Sequence, residues 1–376
     1  MVHPSKTVLN IIAGQIEETG LRVPMVSLVT KVTMWVAAQL IALLCLIAGT
    51  GMTPVSAQDL REVPILRSTG GLPPRIVGLF RQPVAFQQSS NGDYYVLDRR
   101  GQSVYRITPT GQAEQIVQIG PEQGRLLGPI ALHVGPSGRF VVADAPNGRE
   151  RVQIFDENGA SLGQFTLPGR AAPRIILGNL VLNGVGSLQL TDRSIVMNQP
   201  EMGGLVTEFS YAGNPFRTFG VFRRTGYESD RDINLSLNSG IPLVDPMGGY
   251  YFVFQTGVPI FRKYDPQGEL VFERHIEGSE LDSVITTLPT SWHRRSDDQG
   301  RDFPVIPPTV RTAAVDRLGR LWVALTVPVI YIYDTDGEKI RTVRLEAAGL
   351  IQPDSLSFST TNNLLVTPGC YEFKVW

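Results

Sequence analysis

The sequence predicts an all-β protein: a six-bladed β-propeller of four-stranded antiparallel blades, closed by an N-terminal strand that completes the last blade. Three observations carry this expectation. A unit of strand-length apolar segments recurs six times, glycine marks the hairpin turns between those segments, and a large side chain stands four residues before one of those glycines.

The second unit is the clearest. It runs Pro129-Ile130-Ala131-Leu132-His133-Val134, a turn at Gly135-Pro136-Ser137-Gly138, then Arg139-Phe140-Val141-Val142-Ala143-Asp144. A third segment, Arg151-Val152-Gln153-Ile154-Phe155-Asp156, turns at Glu157-Asn158-Gly159 into Ser161-Leu162-Gly163-Gln164-Phe165. The third-to-fourth turn recurs at Gly111, Gly159, Gly213, Gly268 and Gly337, preceded by four residues in each case by Ile107, Phe155, Phe209, Tyr264 and Tyr333. Glycine supplies the positive φ of a tight hairpin, and the even offset holds the large side chain on one sheet face, where it can pack on a neighbouring blade. The first-to-second turn is marked by Gly92, Gly138, Gly249 and Gly319, with Asp192-Arg193 and Asn362-Asn363 filling it elsewhere.

Inner strands are therefore expected near Val84, Ile130, Leu188, Ile241, Ala313 and Leu356. The sixth unit ends at Trp376 after its third strand, Tyr371 to Val375, so it lacks a fourth. Glu62-Val63-Pro64-Ile65-Leu66-Arg67 or Ile76-Val77-Gly78-Leu79-Phe80 is expected to supply it, clasping the termini and covering a sheet edge.

Leu132-His133-Val134 through Arg151-Val152-Gln153-Ile154-Phe155-Asp156 resembles an NHL repeat, with Gly120-Pro121 to Gly128-Pro129 as its glycine-rich entry. Ala314-Val315-Asp316 with Gly319-Arg320-Leu321-Trp322-Val323-Ala324 is similar to the first half of that repeat. The resemblance implies a propeller from Val84 onward; it does not imply one activity, because related propellers include protein-binding scaffolds, lyases and lactone hydrolases.

Ahead of the propeller, residues from Met25 read as a secretory signal: Lys31, an apolar run from Trp35 to Ala48, and the small-residue end Val55-Ser56-Ala57. Cleavage is expected after Ala57, giving an exported protein, periplasmic or extracellular, with residues 1–57 as extension and signal and 58–376 as the propeller. Met25 is the expected true start. The rival reading keeps Met34 to Met52 as a membrane anchor, since its length is close to the ~20 residues of a spanning helix. Removal of the signal takes Cys45 with it and leaves Cys370 as the remaining cysteine, so stability must come from packing rather than a disulfide.

A net charge of -1 leaves no global field to draw in nucleic acid, so that partner is not expected, and the chain is read as a monomer. Basic residues number 34, of which only Lys6, Lys31, Lys263, Lys339 and Lys374 are lysines. That skew reflects either genome composition or an arginine-lined anion site.

In a four-stranded blade the first-to-second and third-to-fourth turns share one face, which is tight here. The other face carries two long crossings, Val221 to Ser239 and Gly278 to Val310, and is the expected ligand face. Candidate ligand-binding residues are Arg223 and Arg224 on the first crossing and Trp292, His293, Arg294 and Arg295 on the second, which also holds Asp297-Asp298. Asp98, Arg100, Asp144 and Arg149, with neighbours Arg99 and Glu150, could join its rim from shorter loops. Asp98 and Asp144 either hydrogen-bond nearby backbone amides or touch a ligand, and the arginines either solvate a loop or grip an anion by forked hydrogen bonds.

No nucleophile elbow, metalloprotease helix, phosphate loop or dinucleotide fingerprint is present. The expectation is a non-catalytic binding propeller for a protein or small polar ligand, with no cofactor and no catalytic residue. The alternative is a propeller enzyme, a lyase or a lactone or ester hydrolase, with a divalent metal in the channel held by His133 and His293 near Asp98 or Asp144.

Overall fold

Second and third strands of the repeats are runs of Val, Ile, Phe, Tyr and Ala that are buried on both faces, as in Phe140–Asp144, Tyr250–Phe254 and Leu321–Leu325. Outer strands such as Ser161–Thr166 and Leu270–His275 instead alternate or lean toward solvent. That gradient is what radial stacking of sheets produces, since a central strand is covered by the blade on either side.

The computed structural model describes residues 63–146, 149–167, 175–177, 180–182, 188–296, 300 and 302–376. The signal segment, its cleavage after Ala57, the start at Met25, Glu62 and Asp297-Asp298 lie outside the described residues. Val63–Trp376 forms one compact unit.

Six blades of antiparallel strands follow one another along the described residues, with two separate two-stranded hairpins at Ile175–Leu177/Leu180–Leu182 and Arg294–Ser296/Asp302–Pro304. Blade one is Pro83–Gln88, Tyr94–Asp98, Ser103–Ile107 and Ala113–Val117; blade two is Pro129–Val134, Phe140–Asp144, Arg151–Phe155 and Ser161–Thr166. Blade three is Leu188–Leu190, Ile195–Met197, Val206–Phe209 and Pro215–Phe219; blade four is Gly240–Val244, Tyr250–Phe254, Ile260–Tyr264 and Leu270–His275. Blade five is Val310–Val315, Leu321–Leu325, Ile330–Tyr333 and Lys339–Glu346, and blade six contributes Ser355–Phe358, Leu364–Thr367 and Tyr371–Phe373.

The repeating turn is more specific than its glycine. In the third-to-fourth turns the residue after the strand, Thr108, Asp156, Ser210, Asp265 or Asp334, accepts with its side chain the N–H four residues on, at 2.8–3.1 Å. A side chain that satisfies its own turn leaves the glycine as the left-handed corner, with φ between 80° and 86° at all five positions. The large residue before each turn packs across a blade seam: Phe209 on Phe165, Tyr264 on Phe219 and Tyr333 on Phe261, with ring centroids 4.7–5.7 Å apart.

The core is correspondingly divided. Each seam holds its own apolar cluster: Tyr95 with Phe140, Phe155 and Leu126 between blades one and two, Val141 with Leu190 and Met197 between two and three, and Val196 with Phe252 and Tyr264 between three and four. Tyr251 with Val323 and Tyr333 fill the next seam, Trp322 with Leu356 and Val366 the fifth, and Leu365 with Phe86 and Ile76 the closing one.

An N-terminal strand completes the last blade, but at a different place from either segment the sequence suggested. Gly70–Gly71 pairs antiparallel with Tyr371 and Glu372 as the fourth strand of blade six, flanked by hydrogen bonds from Thr69 N to Glu372 O and from Leu72 N to Cys370 O. Ile65–Arg67 instead lies parallel to Arg344–Glu346 on the outer edge of blade five. Pro74–Val77 is a short helix started by Pro74, and its Ile76 plugs the closing seam. The closing strand carries no alternating apolar pattern because closure there needs little side chain: Gly71 has φ 135°, and a Cβ there would sit 2.3 Å from the Cys370 carbonyl oxygen.

Candidate functional site

Inner strands of a propeller have one edge without a neighbouring strand, and the backbone groups along it need partners. Polar side chains from the preceding blade provide them. Gln87 of blade one donates to Leu132 O at 3.0 Å and accepts from Val134 N at 2.8 Å, mimicking a strand. His133 of blade two accepts from Leu190 N at 3.0 Å through Nδ1. Asn198 accepts from Gly240 N, Gln255 donates to Arg311 O, Arg311 donates to Pro353 O and pairs with Asp354, and Ser357 donates to Phe86 O. Each of the six seams thus carries such a tie.

Five of the ties, those of Gln87, His133, Gln255, Arg311 and Ser357, line a channel in two parts. A cavity of about 490 Å³ opens at the first-to-second turns, walled by Leu190, Leu243, Val244 and Phe358 and rimmed by Asp192, Pro246, Arg317 and Thr360. A second space of about 110 Å³ lies toward the starts of the inner strands, beside Gln255, Arg311 and Asp354. Gln87, Gln189, Leu243, Ala313 and Leu356 border both. His133 stands on the wall of the larger cavity, and desolvation pushes its imidazole down to about 4, opposed by a hydrogen bond with Gln189. Neutral His133 is the form that can accept the Leu190 N–H.

Asp98 and Asp144 are buried at the ends of their second strands. Asp98 accepts the N–H groups of Arg81, Gln82 and Gly101 at 2.8–3.0 Å, tying the entry of blade one to its own turn. Asp144 accepts Leu127 N at 3.0 Å and takes a two-pronged contact from Arg151, Nε to Oδ1 at 2.8 Å and Nη2 to Oδ2 at 2.9 Å. The remaining Arg151 donors reach Pro121 O and Arg125 O. Arg100 and Arg149 are exposed beside these positions, while Arg99 is half-buried and Glu150 buried. With these carboxylate oxygens and His133 Nδ1 engaged, the donor set named for a metal does not fit one. Among the described residues no three His, Cys, Asp or Glu side chains converge as a metal ion requires.

The two long crossings fold onto each other. Helix Arg231–Leu237 is N-capped by Asp230, whose Oδ1 accepts Ile233 N at 3.2 Å. Asp230 also binds Arg294 of the second crossing at 2.6 Å, with Asp302 and Asp232 at 3.5 and 3.9 Å from the same guanidinium. Partial burial opposes the Asp230 charge, and the Arg294 hydrogen bond overcomes it to hold the carboxyl below its ordinary value. Beneath this ion pair Ile233, Leu237 and Ile306 form a small apolar cluster with Tyr227 and Trp292 against it. Tyr227 adds a hydrogen bond to Thr290 O.

Of the arginines on this face, Arg223 is inward. It donates to Leu237 O, Val258 O and Thr256 O and lies over the Phe254 ring at 4.5 Å; desolvation, with Arg262 nearby, lowers its guanidinium to about 10. It anchors the first crossing to blade four. Arg224, His293 and Arg295 are exposed. The structure therefore brings Trp292 and Arg294 into one lobe with Asp230, leaves Arg224, His293 and Arg295 on the solvent side, and places Asp98 and Asp144 inside blades one and two.

Sequence reasoning missed the wide cavity at the tight-turned face and the seam ties. The available signal was polar residues within otherwise apolar inner strands, Gln87, His133 and Arg311.

No protein-family model matches the chain, and no curated protein matches it in sequence. Among solved structures the chain is similar to a gluconolactonase from Xanthomonas campestris, at 14% identity over 83% of this chain and 95% of that one, with a TM-score of 0.47. It is also similar to virginiamycin B lyase from Staphylococcus aureus, at 12% identity over 76% and 77% with a TM-score of 0.46. For BamB from Moraxella catarrhalis the values are 11%, 78% and 74%, and 0.40.

Proposed function

We propose that the chain is an exported, NHL-like binding propeller without catalytic activity, whose loop-bearing face holds a protein or a small polar, anionic ligand. The observation that supports this reading is the lobe built by the two crossings. Arg294 and Asp230 join them, Ile233, Leu237, Ile306 and Trp292 give them an apolar floor, and Arg224, His293 and Arg295 stay exposed above it. Loops ordered before binding lose less entropy on binding, and guanidinium groups match carboxylate and phosphate geometry.

The test is binding of inorganic phosphate, galacturonate and the proteins of the exported fraction to the full chain and to an Arg224→Ala/Arg295→Ala variant. Loss of binding by about tenfold or more at an unchanged melting temperature is expected. Equal binding by both proteins overturns the reading. A stoichiometric divalent ion lost together with turnover in His133→Ala overturns it in favour of a channel enzyme.

A further inference from the structure

The cavity of about 490 Å³ opens on the tight-turned face, and no residue of either long crossing borders it. Its charges are few and balanced. Arg317 and Asp192 stand at the rim, and His133, neutral in this setting, is the remaining ionisable side chain of the wall. The Arg311–Asp354 ion pair lies on the smaller space, where each charge answers the other. A net charge brought into the wide cavity would lose water and meet no counter-charge, so the occupant that fits is uncharged.

The uncharged polar side chains of the wall are largely committed to the backbone. Gln87 bridges Leu132 O and Val134 N, Gln88 donates to Gly92 O and accepts from Thr360 N, and Ser357 donates to Phe86 O. Gln189 differs. His133 Nδ1 takes the Leu190 N–H, so the proton of the neutral ring sits on Nε2, and Gln189 Oε1 is the atom that accepts it. That arrangement leaves the Gln189 Nε2 donors to the cavity, with no acceptor for them among the described residues. Gln189 also stands with Leu243, Ala313 and Leu356 where the wide space meets the one of about 110 Å³. An open donor at the floor of a funnel walled by Leu190, Leu243, Val244 and Phe358 is the composition of a small-molecule site: apolar surface supplies affinity and a few placed polar groups fix orientation. The volume lies within the range of about 300–1,000 Å³ that such sites occupy.

We propose that the channel mouth on the tight-turned face binds a small, uncharged, largely apolar molecule whose carbonyl or ether oxygen accepts a hydrogen bond from Gln189. The apolar body lies against Leu190, Leu243, Val244 and Phe358. The site needs neither a metal nor turnover, and it uses no residue of the lobe.

The probe is the neutral naphthalene fluorophore Prodan, which carries a single carbonyl, titrated into the full chain alongside anilinonaphthalene sulfonate, which has a comparable apolar body and a fixed negative charge. Saturable binding of Prodan is expected, one per chain, with a Kd of about 10 μM or below and the sulfonate at least about tenfold weaker. Val244→Trp, which fills the mouth, is expected to abolish binding. Gln189→Leu is expected to weaken it about tenfold and to move the bound emission to higher energy, because the probe's carbonyl loses its donor. A crystal structure of the wild-type complex places the probe against Gln189 whether or not either variant folds. No saturable binding, sulfonate binding as tight as Prodan, unchanged binding in folded Val244→Trp, or a probe seated elsewhere overturns the proposal. Arg224→Ala/Arg295→Ala is expected to keep full affinity for Prodan, so failure here and failure of the lobe reading are distinguishable.

Discussion

His133 Nδ1 accepts the backbone N–H of Leu190 at 3.0 Å, joining the inner strands of blades two and three across the channel wall. This contact exists only for the neutral ring, and desolvation lowers the imidazole from 6.5 to about 4. The unfolded chain therefore takes up a proton at higher pH than the folded one. The contribution is fully present above about pH 6.5, declines as pH falls, and is gone below about 4, at most about 3 kcal/mol in all. Urea midpoints measured between pH 7 and 4 are expected to fall, and His133→Gln, whose side-chain oxygen can accept the same N–H, is expected to flatten that part of the curve.

The Asp144–Arg151 pair offers a sharper measurement because both side chains are buried. Asp144→Ala strands a guanidinium inside blade two and is expected to cost about 3–5 kcal/mol. Arg151→Met, which strands the carboxylate, is expected to cost a similar amount. The double variant should cost clearly less than the two added together, and a double-mutant cycle in denaturant checks this. Additive losses would mean that each side chain acts through its backbone partners, Leu127 N for the acid and Pro121 O and Arg125 O for the base.

Six blades, their inner strands and both families of turn were legible in the sequence because their causes are local. A left-handed corner favours glycine or asparagine, as at Gly138, Gly319 and Asn362, and a two-residue period shows which side chains face inward. Closure was legible as a requirement and not as a location. Ile65–Arg67 has the apolar character of a strand and pairs with blade five, whereas Gly70–Gly71 has no side chains to form a pattern. The lobe was half legible: two long crossings beside blade four announced themselves by length, but the Arg294–Asp230 contact spans 64 residues and no periodicity encodes it. Seam ties were hidden for a similar reason. Gln87 and His133 look like interruptions of an apolar strand until the next blade presents its open edge.

Closure can be tested with two neighbouring glycines that differ in surroundings. Gly71 combines φ 135° with 2.3 Å between a built Cβ and Cys370 O, whereas Gly70 has nothing within 4 Å of that position. Gly71→Ala is expected to destabilise by at least about 2 kcal/mol, and Gly70→Ala to stay within about 1 kcal/mol of wild type. Amide exchange at Tyr371 and Glu372 reports the pairing directly and should accelerate in the first variant alone.

The lobe predicts a separable pair of losses at Asp230, which caps helix Arg231–Leu237 through Ile233 N and binds Arg294 through both carboxylate oxygens. Asparagine keeps the cap and removes the charge; alanine removes both. Asp230→Ala is expected to cost about 1–2 kcal/mol and Asp230→Asn less, since an ion pair this exposed contributes about 1 kcal/mol or less. Arg294→Ala should match Asp230→Asn, because each leaves the cap intact. The same logic fixes the acid response: the carboxyl lies below its ordinary value, so its support is present above about pH 3.8 and is lost as pH falls through the lowered value. Protease nicking between the two crossings, measured on the full chain, should rise in the order wild type, Asp230→Asn, Asp230→Ala. If all three are cut equally, the apolar floor of Ile233, Leu237 and Ile306 holds the lobe without the ion pair, and the exposed arginines owe their placement to packing alone.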